Sequence, residues 1–461
     1  MQAIIEKTIA QLQEHFGLVG GFLVAVKDGK TIVKQGFGLA DRETGRPVDT
    51  ETVFQIASCS KAFTTMMAAQ LCEEGKLDWD TPVRQYLPEF RLMDEYASDH
   101  VTPRDLACHR TGLSRHDAMR TFVREDRADL VRRMAYFPPT VSFRERYYYQ
   151  NQNYVALGYL CEQIAGKTWE QWMTERIGKP LGMELYYRGH VDIRGIRAAM
   201  PYLRLNGETV PTQEVVGQAS NPCGGVYTNA DSLEKWIKML SAGGTLDGQT
   251  IISEDGLRKL LQPNIPVPGR AFHPEELQQT YGLGWTVSAY KGRRVAYHGG
   301  WTNGFNSQVG FFPEKNMAYA LSVNTEDTPS HVVLAYLLRD LLLEDLDSDY
   351  GWLMDAAAPS FDKGPAFTPE ELADLPLTVE EAAAFCGRYE NPGYGHLEFS
   401  CENGKLHLSY GLVELDFRRV DEQRFVAHGI PGTFRAQFRE DGSLSMRFST
   451  DAVRPIELIR K

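Results

Sequence analysis

The stretch FQIASCSKAFTTMMAAQLCEEGKL, residues 54–77, decides how this chain reads. Ala62, Phe63, Met66, Met67 and Leu71 recur at helical spacing, and Gly75 supplies a stop. The tetrad Ser58-Cys59-Ser60-Lys61 therefore stands at a helix N-terminus. Residues three apart on a helix share a face. The amine of Lys61 can then take the proton of the Ser58 hydroxyl, which is too weak a nucleophile unaided. Free backbone N–H groups and the positive end of the helix dipole favour a developing anion at that point.

The tetrad alone is weak evidence, because S-x-x-K occurs at Ser58, Ser232, Ser288 and Ser360. Context separates the four. Ser232 opens a second helix, where capping accounts for it. Ser288 follows a strand-like run, and Ser360 lies among Pro and Gly. Cys59 is a rival nucleophile within the tetrad, but no histidine is near it in sequence and the lysine register favours Ser58.

Composition narrows the partners. The chain has 461 residues, 43% hydrophobic and 24% charged, enough for two or three domains and a sizeable core. Its 49 basic and 61 acidic residues give a net charge of −12, which argues against nucleic acid. No apolar run approaches the ~20 residues needed to cross a bilayer. Seven scattered cysteines without a C-x-x-C pair fit a reducing compartment. The first stretch, MQAIIEKTIAQLQEHFG, is an amphipathic helix and not a signal peptide, so a cytoplasmic location is expected.

Working outward, residues 20–41 read as two strands joined at Asp28-Gly29. Residues 76–280 are mostly helical and loop-rich. Strand character returns in YGLGWTVSAY (281–290), GRRVAYHGG (292–300), FNSQVGFFPEKN (305–316) and MAYALSVN (317–324), and the apolar helix SHVVLAYLLRDLLLEDL (330–346) follows. Strands at both ends with helices between predict an α+β fold. One antiparallel sheet is flanked by the terminal helices, with a helical lobe inserted and a cleft between sheet and lobe. Residues 347–376 read as a linker. Residues 377–461 hold about eight short strands, with tight turns at Glu402-Asn403-Gly404 and Glu440-Asp441-Gly442, and predict a small antiparallel barrel.

Acyl transfer also needs a base, a proton donor for the leaving group and two N–H donors for the oxyanion. Tyr149-Gln150-Asn151 ends an aromatic, basic loop and leads directly into a helix, unlike the Y-x-N patterns at Tyr227 and Tyr389. A phenol beside a lysine ammonium has its ionised form favoured. His298-Gly299-Gly300 ends a strand run, and its glycines allow a ligand to approach the backbone.

These three elements, in this order, resemble the penicillin-recognising serine hydrolases: class C β-lactamases, DD-peptidases, D-aminopeptidases and related esterases. The resemblance covers about residues 15–345 and is supported by LDWDTPVRQYLPEF, VTPRDLACHRTGLSRHD, KPLGM and NPCGGVYTNADSLEKW. It implies a β-lactamase/transpeptidase-like hydrolase domain over 1–346 and a lipocalin-like barrel over 377–461. It implies Ser58 as nucleophile, Lys61 as the amine beside it, and Tyr149 as the general base and acid. Asn151 would hold the substrate amide and Lys61. His298 stands where many relatives carry a lysine. The backbone N–H groups of Ser58 and Trp301 would bind the oxyanion, with Gly299 and Gly300 lining the substrate.

Two departures bear on substrate. An imidazole at 298 holds a carboxylate less firmly than a lysine, and Gly299 removes a hydroxyl usual at that position. Both favour small amides, peptides (D-configured residues included) or esters over a dedicated β-lactamase. The rivals are a β-lactamase proper and a penicillin-binding-like sensor that does not turn over. No cofactor or metal is expected, since His100, His109 and His116 lack ligand spacing. The barrel could shape the cleft mouth or mediate homo-oligomerisation, and its aromatic residues read as its own core.

Overall fold

The strand Gly20–Lys27, read above as half of a terminal hairpin, lies inside the main sheet, and all but its last residue are buried. On one side it pairs with Lys30–Asp41. On the other it pairs with Met317–Val323, in the register Leu23↔Leu321. That pairing joins stretches of chain about 300 residues apart. In this computed structural model, residues 1–461 are described apart from 193–194, 206, 270, 362–365, 373, 403, 430–431 and 449–454.

The main sheet has nine strands in the order Ile265–Pro266, Glu276–Tyr281, Thr286–Tyr290, Arg293–Thr302, Phe305–Phe312, Met317–Val323, Gly20–Lys27, Lys30–Asp41 and Arg46–Pro47. Every pairing is antiparallel. Helices Gln2–Phe16 and Ser330–Leu343 cover one face through Ile5, Leu12, Val333 and Leu337, packed on Leu23, Tyr319 and Leu321. Under that layer Arg339 and Glu276 form a fully buried ion pair at 2.7 Å, with Tyr336 also donating to Glu276. The other face carries the helical lobe. There the helix Ser60–Glu73 stacks Phe63 on Trp236 of helix Ala230–Ser241, with ring centroids 4.2 Å apart.

The stretch 347–376 differs from the linker expected of it. A helix spans Gly351–Ala357 and buries Leu353, Met354 and Ala357 in the core under the sheet, while Tyr350 donates to Asp340 at 2.8 Å. The apolar residues interrupting the Asp- and Ala-rich stretch are what dock it. Beyond it, eight strands from Gly387 to Arg460 close into a barrel. Tyr389, Phe399, Tyr410, Phe417, Phe425, Phe434 and Phe438 are all buried. A turn lies at Glu440-Asp441-Gly442, while the turn at 402–404 falls partly outside the described residues. Among the described residues no helix is long and apolar enough to cross a membrane.

Candidate active site

The chain enters the helix that follows Ser58 through a sharp bend. Ala57 adopts φ 47°, a left-handed conformation that costs an L-residue about 1–2 kcal/mol. A single 3-10 turn, Ala57–Cys59, then runs into Ser60–Glu73. Within the tetrad Cys59, Ser60 and Lys61 are buried, and Ser58 alone keeps access to solvent.

Lys61 donates to Ser58 Oγ at 3.0 Å, to Asn151 Oδ1 at 2.8 Å and to the Cys223 carbonyl at 2.7 Å. Three ammonium protons thus meet three acceptors. The Tyr149 hydroxyl donates to Ser58 Oγ at 2.9 Å. The Lys61 ammonium also lies over the Tyr149 ring, 4.9 Å from its centroid. One phenol, one alcohol, one amine and one amide therefore form a single hydrogen-bonded chain, Tyr149–Ser58–Lys61–Asn151, although residues 61 and 151 are 90 positions apart.

Cys59 is not placed to compete. Its thiol is buried, donates to the His298 carbonyl at 3.2 Å, and is pushed up to about 12 by burial. The thiolate is the reactive form, so this sulfur is structural. Two of the other S-x-x-K serines are also occupied. Ser232 Oγ takes the Glu184 N–H, while Asn229, not Ser232, caps that helix. Ser288, inside the strand Thr286–Tyr290, donates to Glu276.

The strand carrying His298, Gly299, Gly300 and Trp301 runs beside the Ala57–Cys59 turn. Its pairing with Thr286–Tyr290 stops at Thr286↔Tyr297, which leaves the His298–Thr302 edge facing Ala57–Cys59. A Cβ on Gly300 would sit 2.2 Å from the Ile56 carbonyl oxygen, so glycine is what permits the approach. At Gly299 the nearest atom to such a Cβ is 4.0 Å away, leaving room along the edge. The Trp301 side chain is 44% exposed and its indole N–H donates to Glu326.

His298 is the least like its expected role. Its ring is buried against Tyr281, whose hydroxyl lies 2.8 Å from Nε2, and Nδ1 lies 2.6 Å from the Gly299 carbonyl oxygen. A carbonyl only accepts, so Nδ1 carries the proton and Nε2 accepts from Tyr281. Burial, reinforced by the nearby Lys61 charge, drops the imidazole to about 3. It is neutral and offers no cation to a substrate carboxylate. It lies behind the Ser58–Lys61–Tyr149–Asn151 cluster, with no hydrogen bond to it among the described contacts.

Asp117, Cys223 and Tyr281 were invisible to motif reading, whereas His109 reads from sequence as a brace of the loop under the cleft. Asp117 is buried and accepts from Asn151 Nδ2 at 2.9 Å. Burial alone would raise its carboxyl, but the Arg115 and Arg120 guanidiniums and the Asn151 amide hold it well below the usual carboxylate range. The Cys223 backbone carbonyl anchors Lys61, where no side chain advertises the role. His109 lies 4.4 Å from the Tyr149 ring between centroids, and its Nδ1 accepts the Gln150 N–H at 3.1 Å. Tyr281 fixes the His298 tautomer. The acid within SRHD, followed closely by Arg120, was the one sequence signal available for Asp117. His100, His109 and His116 do not converge: each has its own partner, respectively Tyr96, Gln150 and Tyr394. No group of three or more metal-ligating side chains occurs among the described residues.

Comparison with known proteins bears on the family and the fold. The unguisins hydrolase ungD' of Aspergillus campestris is 27% identical over 93% of this chain and 85% of its own length. Penicillin-binding protein 4* of Bacillus subtilis is 25% identical over 92% and 91%. The octameric penicillin-binding protein homologue from Pyrococcus abyssi superposes with a TM-score of 0.65 at 22% identity, covering 99% of both chains. The D-amino acid amidase from Ochrobactrum anthropi does so with 0.62 at 20%, over 74% of this chain and 97% of that one. The family model described as Beta-lactamase matches residues 5–343, and this chain belongs to that family.

Proposed function

We propose that this chain is a serine hydrolase that acts through an acyl-enzyme on Ser58. The carrying observation is that Ser58 Oγ lies within hydrogen-bond distance of both Lys61 and Tyr149 while remaining accessible. Tyr149 acts as a base only after its own hydroxyl proton, which points at Ser58 Oγ in the resting site, has left to solvent. As Oγ then attacks a carbonyl carbon, the phenolate takes the Ser58 proton and the C=O electron pair moves onto oxygen. The backbone N–H groups of Ser58 and Trp301 receive that oxyanion, each such donor being worth about 10²–10³ in turnover. Collapse breaks the bond to the leaving amine or alcohol, which takes the proton from Tyr149. Water then repeats the sequence on the ester. Lys61 offsets the negative charge passing through Tyr149, and Asn151 holds Lys61 while contributing to the substrate amide.

The substrate class we infer is a small amide, a peptide with D-configured residues included, or a short ester. The hydrolase named among the relatives and the amidase among the structural neighbours support it. So does the neutral His298, which withdraws the charge a β-lactam or D-alanyl carboxylate would meet. Homo-oligomeric assembly remains part of the proposal, prompted by the octameric neighbour.

Turnover of D- and L-aminoacyl amides, esters and β-lactams by the purified chain tests the reading. Faster hydrolysis of amides or esters than of a chromogenic cephalosporin supports it. Comparable cephalosporin turnover would favour a β-lactamase. A burst without steady-state turnover on every substrate would favour a non-turnover sensor.

A further inference from the structure

Two turns of the barrel meet the helical lobe: Gly411 accepts from Arg124 in one, and the other carries a buried side chain inward. Between strands Gly387–Asn391 and Gly395–Glu402, Asn391 Oδ1 accepts the N–H groups of Gly393 and Tyr394 at 2.8 and 3.1 Å, which presets the turn. Tyr394 is buried, and its ring stacks on Phe448 of the barrel core with the planes 2° apart. Tyr410 donates to its carbonyl at 3.0 Å. The Tyr394 hydroxyl leaves the barrel and meets His116 Nδ1 at 2.8 Å. The His116 ring in turn stacks on Phe137, with centroids 4.3 Å apart and planes 7° apart. Pro392 of the same turn accepts from Arg133 at 3.2 Å.

His116 adjoins Asp117, and this short loop is tied to three consecutive residues at the start of the helix Asn151–Ala165. Gln150 Nε2 donates to the Ser114 carbonyl, and Gln152 Nε2 donates to the His116 carbonyl at 2.5 Å. Asn151 donates to Asp117 and accepts from Lys61. An unbroken path of buried contacts therefore runs from the barrel core to the amine beside Ser58.

We propose that Tyr394 is a positioning residue for the Ser58 site, by which the C-terminal barrel sets, through His116, the Asp117–Asn151–Lys61 chain. Burial lowers the His116 imidazole to about 4, so the ring is neutral and the bond joins two uncharged groups. The barrel then acts on how Lys61 and Ser58 are held, without touching substrate. This inference rests on Ser58 being the nucleophile.

The test compares the rate at which a fluorophosphonate labels Ser58, and the steady-state kcat and KM on an activated ester, in the full chain. Tyr394→Phe keeps the stack on Phe448 and removes only the hydroxyl. It should lower labelling rate and kcat by about 2- to 10-fold, the range expected for one hydrogen bond, with KM unchanged. Tyr389→Phe is the control, since Tyr389 donates only within the barrel region, to the Phe385 carbonyl at 3.0 Å. It should behave as wild type. In the background of Asp117→Asn, adding Tyr394→Phe should cost little more, because both interrupt one path.

If Tyr394→Phe does not fold, Gly393→Ala replaces it. Its Cβ would sit 3.1 Å from the Phe137 ring and displace the hairpin with the hydroxyl intact, and the same loss is expected. Wild-type rates in the Tyr394 variant, an equal loss in the Tyr389 control, or fully multiplicative losses with Asp117→Asn would overturn the positioning role alone. Absence of labelling in the wild type would overturn both it and the proposed function.

Discussion

Removing the Tyr149 hydroxyl separates its chemistry from its packing. In Tyr149→Phe the ring still faces His109 at 4.4 Å and keeps the Lys61 ammonium 4.9 Å from its centroid. Only the 2.9 Å hydrogen bond to Ser58 is lost, so folding stability should fall by no more than about 0.5–1.5 kcal/mol. General acid–base catalysis contributes typically 10²–10⁴, or about 3–5 kcal/mol of barrier, so the kinetic loss should exceed the stability loss severalfold. The loss should also depend on the leaving group. An anilide or alkylamide leaves as an amine and needs the Tyr149 proton, whereas a nitrophenolate does not. Pre-steady-state acylation with matched anilide and nitrophenyl ester substrates should therefore give a larger decrement on the anilide. Denaturant unfolding of the same samples supplies the stability term. Near-normal rates on both substrates, or a rate loss no larger than the stability change explains, would refute the assignment.

Asp117→Asn leaves the Arg115 and Arg120 guanidiniums without their shared buried counter-charge. Breaking such a pair costs about 3–5 kcal/mol, and less here because the Arg115 side chain is 45% exposed. Turnover should fall with it, and calorimetry beside kinetics reads both. Gly300→Ala places a methyl group against the Ile56 carbonyl oxygen, so Ser58 labelling should be lost while the barrel remains folded, as limited proteolysis would report. His298, His116 and His331 are held neutral in the fold, with values lowered by burial to about 3, 4 and 4 from 6.5. Their pKa values are depressed on folding, so protons bind the unfolded chain first. Stability is then full above pH 6.5 and declines as pH falls toward the folded values, by about 1.4 kcal/mol per pH unit per histidine. Urea midpoints measured from pH 7 to pH 5 should drop accordingly, and a flat series would contradict the assignment.

The parts of this protein legible in its sequence are those carried by local pattern. The tetrad, Tyr149 and Asn151 sit at element boundaries with their own spacing signals, His298-Gly299-Gly300 shows as an H-x-G inside a strand run, and the barrel announces itself by short alternating strands. The parts not legible are carried by contacts across the chain. Asp117 reads as an ordinary loop acid until Asn151 arrives beside it, and Cys223 contributes only a carbonyl, which any residue possesses. His298 looked like a weak substitute for a cation. Its burial against Tyr281, which sequence cannot convey, makes it a neutral strut. The helix Gly351–Ala357 was hidden because its buried residues are few and lie among Asp, Ala and Pro.

The account stands most directly on which atom is acylated. Mass spectrometry of the fluorophosphonate-labelled chain, run beside Ser58→Ala and Cys59→Ala, locates it. We expect one adduct on Ser58, absent from the serine variant and undiminished in the cysteine variant. An adduct that persists in Ser58→Ala and disappears with Cys59 would contradict the account.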